Sequence, residues 1–184
     1  MPSGMCTGPP GPVGPPPFAV AAAAGRSTAK HPEVGLEGAL SVMPPPDSEH
    51  AAIASRLLVW LAMAGWPRSR CCRPPGCGSP VPTGDGARTP DLTLWAGPQP
   101  RSVWLSTADL LLVIEIISPG SEAMDELIKL REYARAGIPR YWVVDRDAGQ
   151  TVTLYRLTEN SEYAVATKVP LSWLLNTAPA DHLD

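Results

Sequence analysis

The pattern of apolar and polar positions predicts helices and strands more clearly towards the end of the chain. Apolar residues recur at helical spacing over residues 48–65 and predict a helix that packs on a sheet. Gly65 and Pro67 supply the usual signals of helix termination. Upstream, residues 36–43 predict a short strand, which three consecutive prolines stop because proline cannot continue a β ladder.

The strongest strand signal lies at residues 110–117, where a nearly continuous apolar run is typical of a strand covered by helices on both faces. A short strand is predicted before it, at residues 91–95. The polar residues after it open a helix that ends near Gly137. Three more strands follow, at residues 141–145, 152–157 and 163–166. The strand–helix–strand passage implies a right-handed crossover if its strands are parallel.

Composition divides the chain into a leader and one domain. Residues 1–32 are rich in Pro, Gly and Ala and predict a disordered leader, because such a segment buries too little apolar surface to offset its ordering entropy. Residues 33–184 predict a single domain, since a chain of 184 residues with 44% hydrophobic content can build one ordinary core. Within it, residues 67–89 are dense in Arg, Pro, Gly and Cys and predict an irregular segment.

The charge and the cysteines restrict the class of protein. A net charge of -3 argues against binding nucleic acid through bulk electrostatics, so any contact with DNA must be local. Adjacent Cys71 and Cys72 are poor material for a disulfide framework, and with Cys77 they fall one short of the usual four zinc ligands. The sequence shows neither a signal peptide nor a membrane-spanning stretch. A cytoplasmic protein without membrane contact is therefore predicted.

Two carboxylates are candidates for chemistry. Glu115 is the only polar side chain of the apolar strand, and an ionised carboxylate is costly to bury unless it holds a cation or a hydrogen-bond donor. The alternative is a Glu at a solvated sheet edge. Asp91 opens the short strand that we expect beside it, so both groups could bind Mg²⁺. The backbone carbonyl of Ile116 could supply a further oxygen.

Two basic side chains are weaker candidates. Helical spacing places Lys129 on the same face as Asp125 and Tyr133, away from Leu127, and this polar face is in isolation more typical of a solvated stripe. The functional alternative is an ammonium that orients the attacking water or stabilises charge at phosphorus. His50 lies in the first turn of a predicted helix, where capping or packing is the commoner role, and we keep it as a neighbour of the site.

The ordered series from Pro90-Asp91, through Glu115 and Lys129, to the segment 133–145 resembles the Uma family of putative restriction endonucleases. That family belongs to the PD-(D/E)XK nuclease superfamily. The resemblance implies an α/β (α+β) fold with a restriction-endonuclease-like core, in which a central mixed β-sheet is flanked by helices. It also implies Mg²⁺, for which Mn²⁺ would substitute, at the two carboxylates.

The same resemblance assigns roles to the remaining candidates. The simplest superfamily motif has a lysine two positions after the glutamate, where this chain has Ile117, so the catalytic lysine is expected on the following helix as Lys129. Tyr133 and His50 are expected as neighbours of the site. A homodimer is implied by analogy with restriction-like nucleases.

Three hypotheses of function follow. The first is a DNA endonuclease that hydrolyses phosphodiester bonds with water activated by Mg²⁺. The second is a catalytically inactive nuclease-fold protein that binds DNA or another protein, which the acidic pI and the irregular segment favour. The third is a small α/β protein in which Glu115 is merely exposed at an edge.

Overall fold

The computed structural model describes residues 32–34, 40–42, 47–72, 81–82, 87–98, 107–117 and 123–183. The predicted disorder of residues 1–32 lies outside these residues, apart from Pro32, and the domain boundary stays a prediction. The described residues form ten strands and four α-helices, namely β1 Pro32–Val34, β2 Leu40–Val42, α1 Ser48–Met63, β3 Cys71–Cys72, β4 Val81–Pro82, β5 Ala87–Arg88, β6 Leu92–Trp95, β7 Leu110–Ile116, α2 Ala123–Arg135, β8 Arg140–Val144, β9 Thr151–Leu157, β10 Tyr163–Pro170, α3 Leu171–Leu174 and α4 Ala180–Leu183.

A mixed sheet forms the centre of the fold, in the order β10-β9-β8-β7-β6-β3. Only β7 and β8 pair in parallel within it, and α2 connects them, as a parallel crossover requires. The other neighbours are antiparallel. The predicted α+β fold with a mixed sheet and flanking helices is confirmed.

The sheet is covered on both faces, which explains the apolar run of β7. Leu112, Ile114 and Ile116 point to the face where α1 packs. Val113 points to the other face, where Tyr133 of α2 lies. Because side chains alternate along a strand, an apolar residue is needed at almost every position of such a buried strand. Glu115 is the exception, and it lies on the α2 face.

The amino end of α1 is fixed to the end of β8. The Asp47 side chain caps the helix by accepting the backbone N–H of His50 at 3.0 Å. Arg146 follows β8 and contacts both Asp47, at 2.9 Å, and Glu49. These contacts set the position of the first turn of α1, which carries His50. Within the described residues, no helix is long and apolar enough to cross a membrane.

A second, smaller sheet has the order β2-β1-β5-β4, and its pairs are antiparallel. Of the strand predicted at residues 36–43, residues 40–42 are described and form β2, while β1, β4 and β5 were not predicted. Each of these strands spans two or three residues, which is too few for an alternating pattern to be visible. The chain leaves β5 after Arg88 and reaches Asp91 directly before β6.

Candidate active site

Asp91 directly precedes β6, near the end of β7 that carries Glu115. Leu92 pairs with Ile114 in this antiparallel pair, so extending the register by one residue sets Asp91 opposite Glu115. The Asp91 side chain is 25% exposed, and its Oδ2 accepts the Ile116 N–H at 2.8 Å. Because the N–H and C=O of one strand residue point the same way, the Ile116 carbonyl also faces the side where Asp91 lies.

Glu115 is buried, with only 5% of its surface exposed. Tyr133 Oη donates to its Oε1 at 2.7 Å, and Lys129 Nζ donates to its Oε2 at 3.3 Å. The alternative of a solvated, edge-exposed glutamate is wrong, because β7 has a strand on each side and α2 lies above it. The two donors offset the cost of burying the carboxylate.

Lys129 is also buried, at 8% exposure, so the alternative of a solvated stripe is wrong. The prediction failed because Lys129 and Tyr133 do share a face of α2, but that face points to the sheet, and Tyr133 is fully buried. Leu127, which the spacing set opposite this face, is the exposed residue, at 51%. A buried ammonium is stable here because Glu115 supplies the opposite charge.

His50 lies beside Asp91 on the side of α1. Its Nε2 is 3.0 Å from Asp91 Oδ1, so the side chain does more than pack or cap. Since an ionised carboxylate only accepts hydrogen bonds, the proton of a neutral His50 lies on Nε2. Its Nδ1 is buried and has no hydrogen-bond partner among the described residues. His50 therefore orients Asp91 from the face of the sheet on which α1 packs.

The negative charge of the site affects the tyrosines around it. Burial raises the pKa of the Tyr141 hydroxyl well above its ordinary value, and the Glu115 carboxylate raises it further because it disfavours a second negative charge. The Tyr141 ring packs against the Tyr133 ring, with centroids 5.1 Å apart. Tyr141 thus stays neutral and supports the side chain that donates to Glu115.

The sequence model of the Uma2 family, described as "Putative restriction endonuclease", matches residues 22–180, which is most of the chain. The protein belongs to this family. Among solved structures it is similar to the crystal structure of a "putative nuclease belonging to DUF820" from Anabaena variabilis, with 22% sequence identity and a TM-score of 0.54. That likeness covers 73% of this chain and 75% of the other, and it concerns the fold. No curated protein matches the chain.

A buried ion pair that was not predicted from the sequence involves α2, the helix that carries Lys129 and Tyr133. Arg88 Nε donates to Glu132 Oε2 at 2.6 Å. Arg88 is 4% exposed and Glu132 is 0% exposed. The signal that could have revealed Glu132 is its position on α2, three residues after Lys129 and one before Tyr133. By contrast, Arg131 on the same helix is exposed.

The donor atoms of the Uma2 site suit a hard divalent cation. Asp91, Glu115 and the Ile116 carbonyl offer oxygen alone, the ligand type that Mg²⁺ and Mn²⁺ prefer. The described residues contain no group of three His, Cys, Asp or Glu side chains that could hold a metal ion. A cation would accordingly rely on the two carboxylates, the carbonyl and water, as Mg²⁺ often does.

One of the cysteines considered for zinc, Cys71, is buried and packs in the core on the α1 side. The Cys72 side chain and the whole of Cys77 lie outside the described part of the chain. The expectation that the three cysteines form no zinc site stays a prediction.

Proposed function

We propose that this Uma2 protein is a Mg²⁺-dependent DNA endonuclease, with Mn²⁺ able to substitute. In this proposal Asp91 and Glu115 bind the cation with one oxygen each, and the Ile116 carbonyl adds a third. The observations that carry the proposal are two contacts: Asp91 accepts the N–H of Ile116, the residue after Glu115, and the Lys129 ammonium donates to Glu115. The family match and the nuclease-like fold support it further.

Each side chain has a definite task in this proposal. Mg²⁺ would activate water and neutralise phosphate charge when bound. Lys129 donates to Glu115, so its ammonium would orient the attacking water or stabilise charge that develops at phosphorus. Tyr133 holds the Glu115 carboxylate by its Oε1, and His50 holds Asp91 by its Oδ1. Fixing both carboxylates reduces the reorganisation that binding a cation requires.

The experiment is cleavage of plasmid DNA with Mg²⁺ or Mn²⁺ by the wild type, by Asp91→Ala and by Glu115→Ala. We expect cleavage by the wild type that requires the metal, and loss of at least about a hundredfold in both variants. Arg131→Ala is the matched control, since it removes an exposed charge from the same helix as Lys129. Equal cleavage by all four proteins would remove both carboxylates from the mechanism.

A second candidate is a catalytically inactive nuclease-fold protein that binds DNA or another protein. One observation favours it, because each oxygen of Asp91 and Glu115 already accepts from a protein donor: His50, the Ile116 N–H, Tyr133 or Lys129. Such a network is complete without a cation. Calorimetry with Mn²⁺ separates the two candidates, because the inactive protein would show no binding at millimolar metal while its circular dichroism spectrum stays intact.

Two wider aspects belong to the same proposal. A homodimer is proposed by analogy with restriction-like nucleases, and light scattering during gel filtration would measure its mass. A cytoplasmic location is proposed from the cysteine pattern, since adjacent thiols suit a reducing compartment.

A further inference from the structure

The buried pair of Arg88 and Glu132 connects the two parts of the chain that supply the candidate site. Arg88 ends β5 in the small sheet, and the chain runs from it directly to Asp91. Glu132 lies on α2 within one helical turn of Lys129 and Tyr133, both of which donate to Glu115. A contact of 2.6 Å thus joins the segment that leads to Asp91 to the helix that donates to Glu115.

Stability alone does not account for this pair. Removing two charges from water costs about as much free energy as their attraction returns, so apolar residues of similar volume are often equally stable in such places. What an ion pair adds is direction, because a carboxylate accepts the guanidinium N–H only in a narrow range of geometries. The pair is therefore better suited to fixing an orientation than to holding the fold together.

We propose that Arg88 and Glu132 are positioning residues that set the rotation of α2 about its axis. Both donors to Glu115 depend on that rotation, since they lie four residues apart on the same face of the helix. A small rotation of α2 would withdraw the Tyr133 hydroxyl and the Lys129 ammonium together. The effect on catalysis rests on the proposed function, whereas the effect on geometry does not.

The main test replaces the pair by apolar side chains of similar length, in the double variant Arg88→Met with Glu132→Leu. We expect a Tm within about 5 °C of the wild type. We also expect kcat for DNA cleavage to fall by about tenfold or more, with KM changed by less than about threefold, since displaced catalytic groups affect the reaction more than substrate binding. The matched control is Arg131→Met, which should change neither constant.

The geometric readout keeps the test independent of activity. In a crystal structure of the double variant, we expect the distance from Tyr133 Oη to Glu115 Oε1 to exceed about 3.5 Å, beyond hydrogen-bonding range. A distance that stays at 2.7 Å, or a double variant with the kcat of the wild type, would overturn the proposal. If the wild type itself cleaves no DNA, the nuclease proposal fails, and the distance still decides the role of the pair.

A second variant covers the case in which the double variant does not fold. Arg88→Lys keeps the charge beside Glu132 but replaces the planar guanidinium by a flexible ammonium. We expect the fold and Tm to be retained, while the Tyr133 to Glu115 hydrogen bond lengthens and kcat falls by about threefold to tenfold. A structure and a kcat identical to those of the wild type would refute the positioning role.

Discussion

Replacing Lys129 by Met removes a cationic partner from the buried Glu115 carboxylate. Breaking a buried ion pair from one side costs about 3–5 kcal/mol. The lower end applies here, because Tyr133 still donates to Glu115 at 2.7 Å and keeps one carboxylate oxygen satisfied. We therefore expect a loss of about 3 kcal/mol in the free energy of unfolding, which lowers Tm by roughly 6–12 °C in a protein of this size.

The assay is urea unfolding of Lys129→Met with and without Mg²⁺, beside the control Arg131→Met. The exposed control should stay within about 0.5 kcal/mol of the wild type. Because Mg²⁺ would supply the positive charge that Glu115 has lost, we expect it to stabilise Lys129→Met more than the wild type. A Lys129→Met variant as stable as the control would refute the reasoning that a buried charge pair exists here. If Mg²⁺ stabilised Lys129→Met and the wild type equally, the inference that a bound cation replaces the charge of Lys129 would be refuted.

Three further predictions concern side chains around the candidate site. Tyr133→Phe removes a hydrogen bond to the buried Glu115 and should lower the free energy of unfolding by about 2 kcal/mol in urea, whereas no change would exclude this bond. His50→Ala removes the group that orients Asp91 and should weaken Mn²⁺ binding in calorimetry by about tenfold, and an unchanged affinity would contradict that role. Accepting the backbone N–H of His50 lowers the pKa of Asp47, so its contribution to stability is present at neutral pH and is lost as the pH falls through that lowered value. Asp47→Ala should accordingly destabilise the protein at pH 7 but not near about pH 2, and urea unfolding at both values checks this.

The strands and helices with a strong pattern were predictable from the sequence. The apolar run at residues 110–117 predicted β7. Both faces of this strand are covered, so its side chains are apolar on both faces instead of alternating with polar ones. The strand β10 continues to Pro170, four residues beyond its predicted end at residue 166. A β-bulge between Val165 and Thr167 shifts the register there, and this interrupts the alternation that the prediction used.

The burial of charged residues was not predictable from polarity. The helical spacing correctly placed Lys129 and Tyr133 on one face of α2. A charged residue on a helix is nevertheless predicted to be exposed to solvent unless a buried partner of opposite charge is known. That partner, Glu115, lies on another element. The pair of Arg88 and Glu132 was not predictable for the same reason, because its members are 44 residues apart in the sequence and lie on different elements.

The most direct test of the proposed site is a crystal structure of the protein soaked with Mn²⁺, with the anomalous signal of the metal measured. The proposal predicts one peak at about 2.0–2.3 Å from an oxygen of Asp91, an oxygen of Glu115 and the Ile116 carbonyl, with water completing the coordination. Lys129 Nζ should lie beside it. No peak at saturating Mn²⁺, or a peak that touches neither carboxylate, would contradict the assignment of this site as a metal centre.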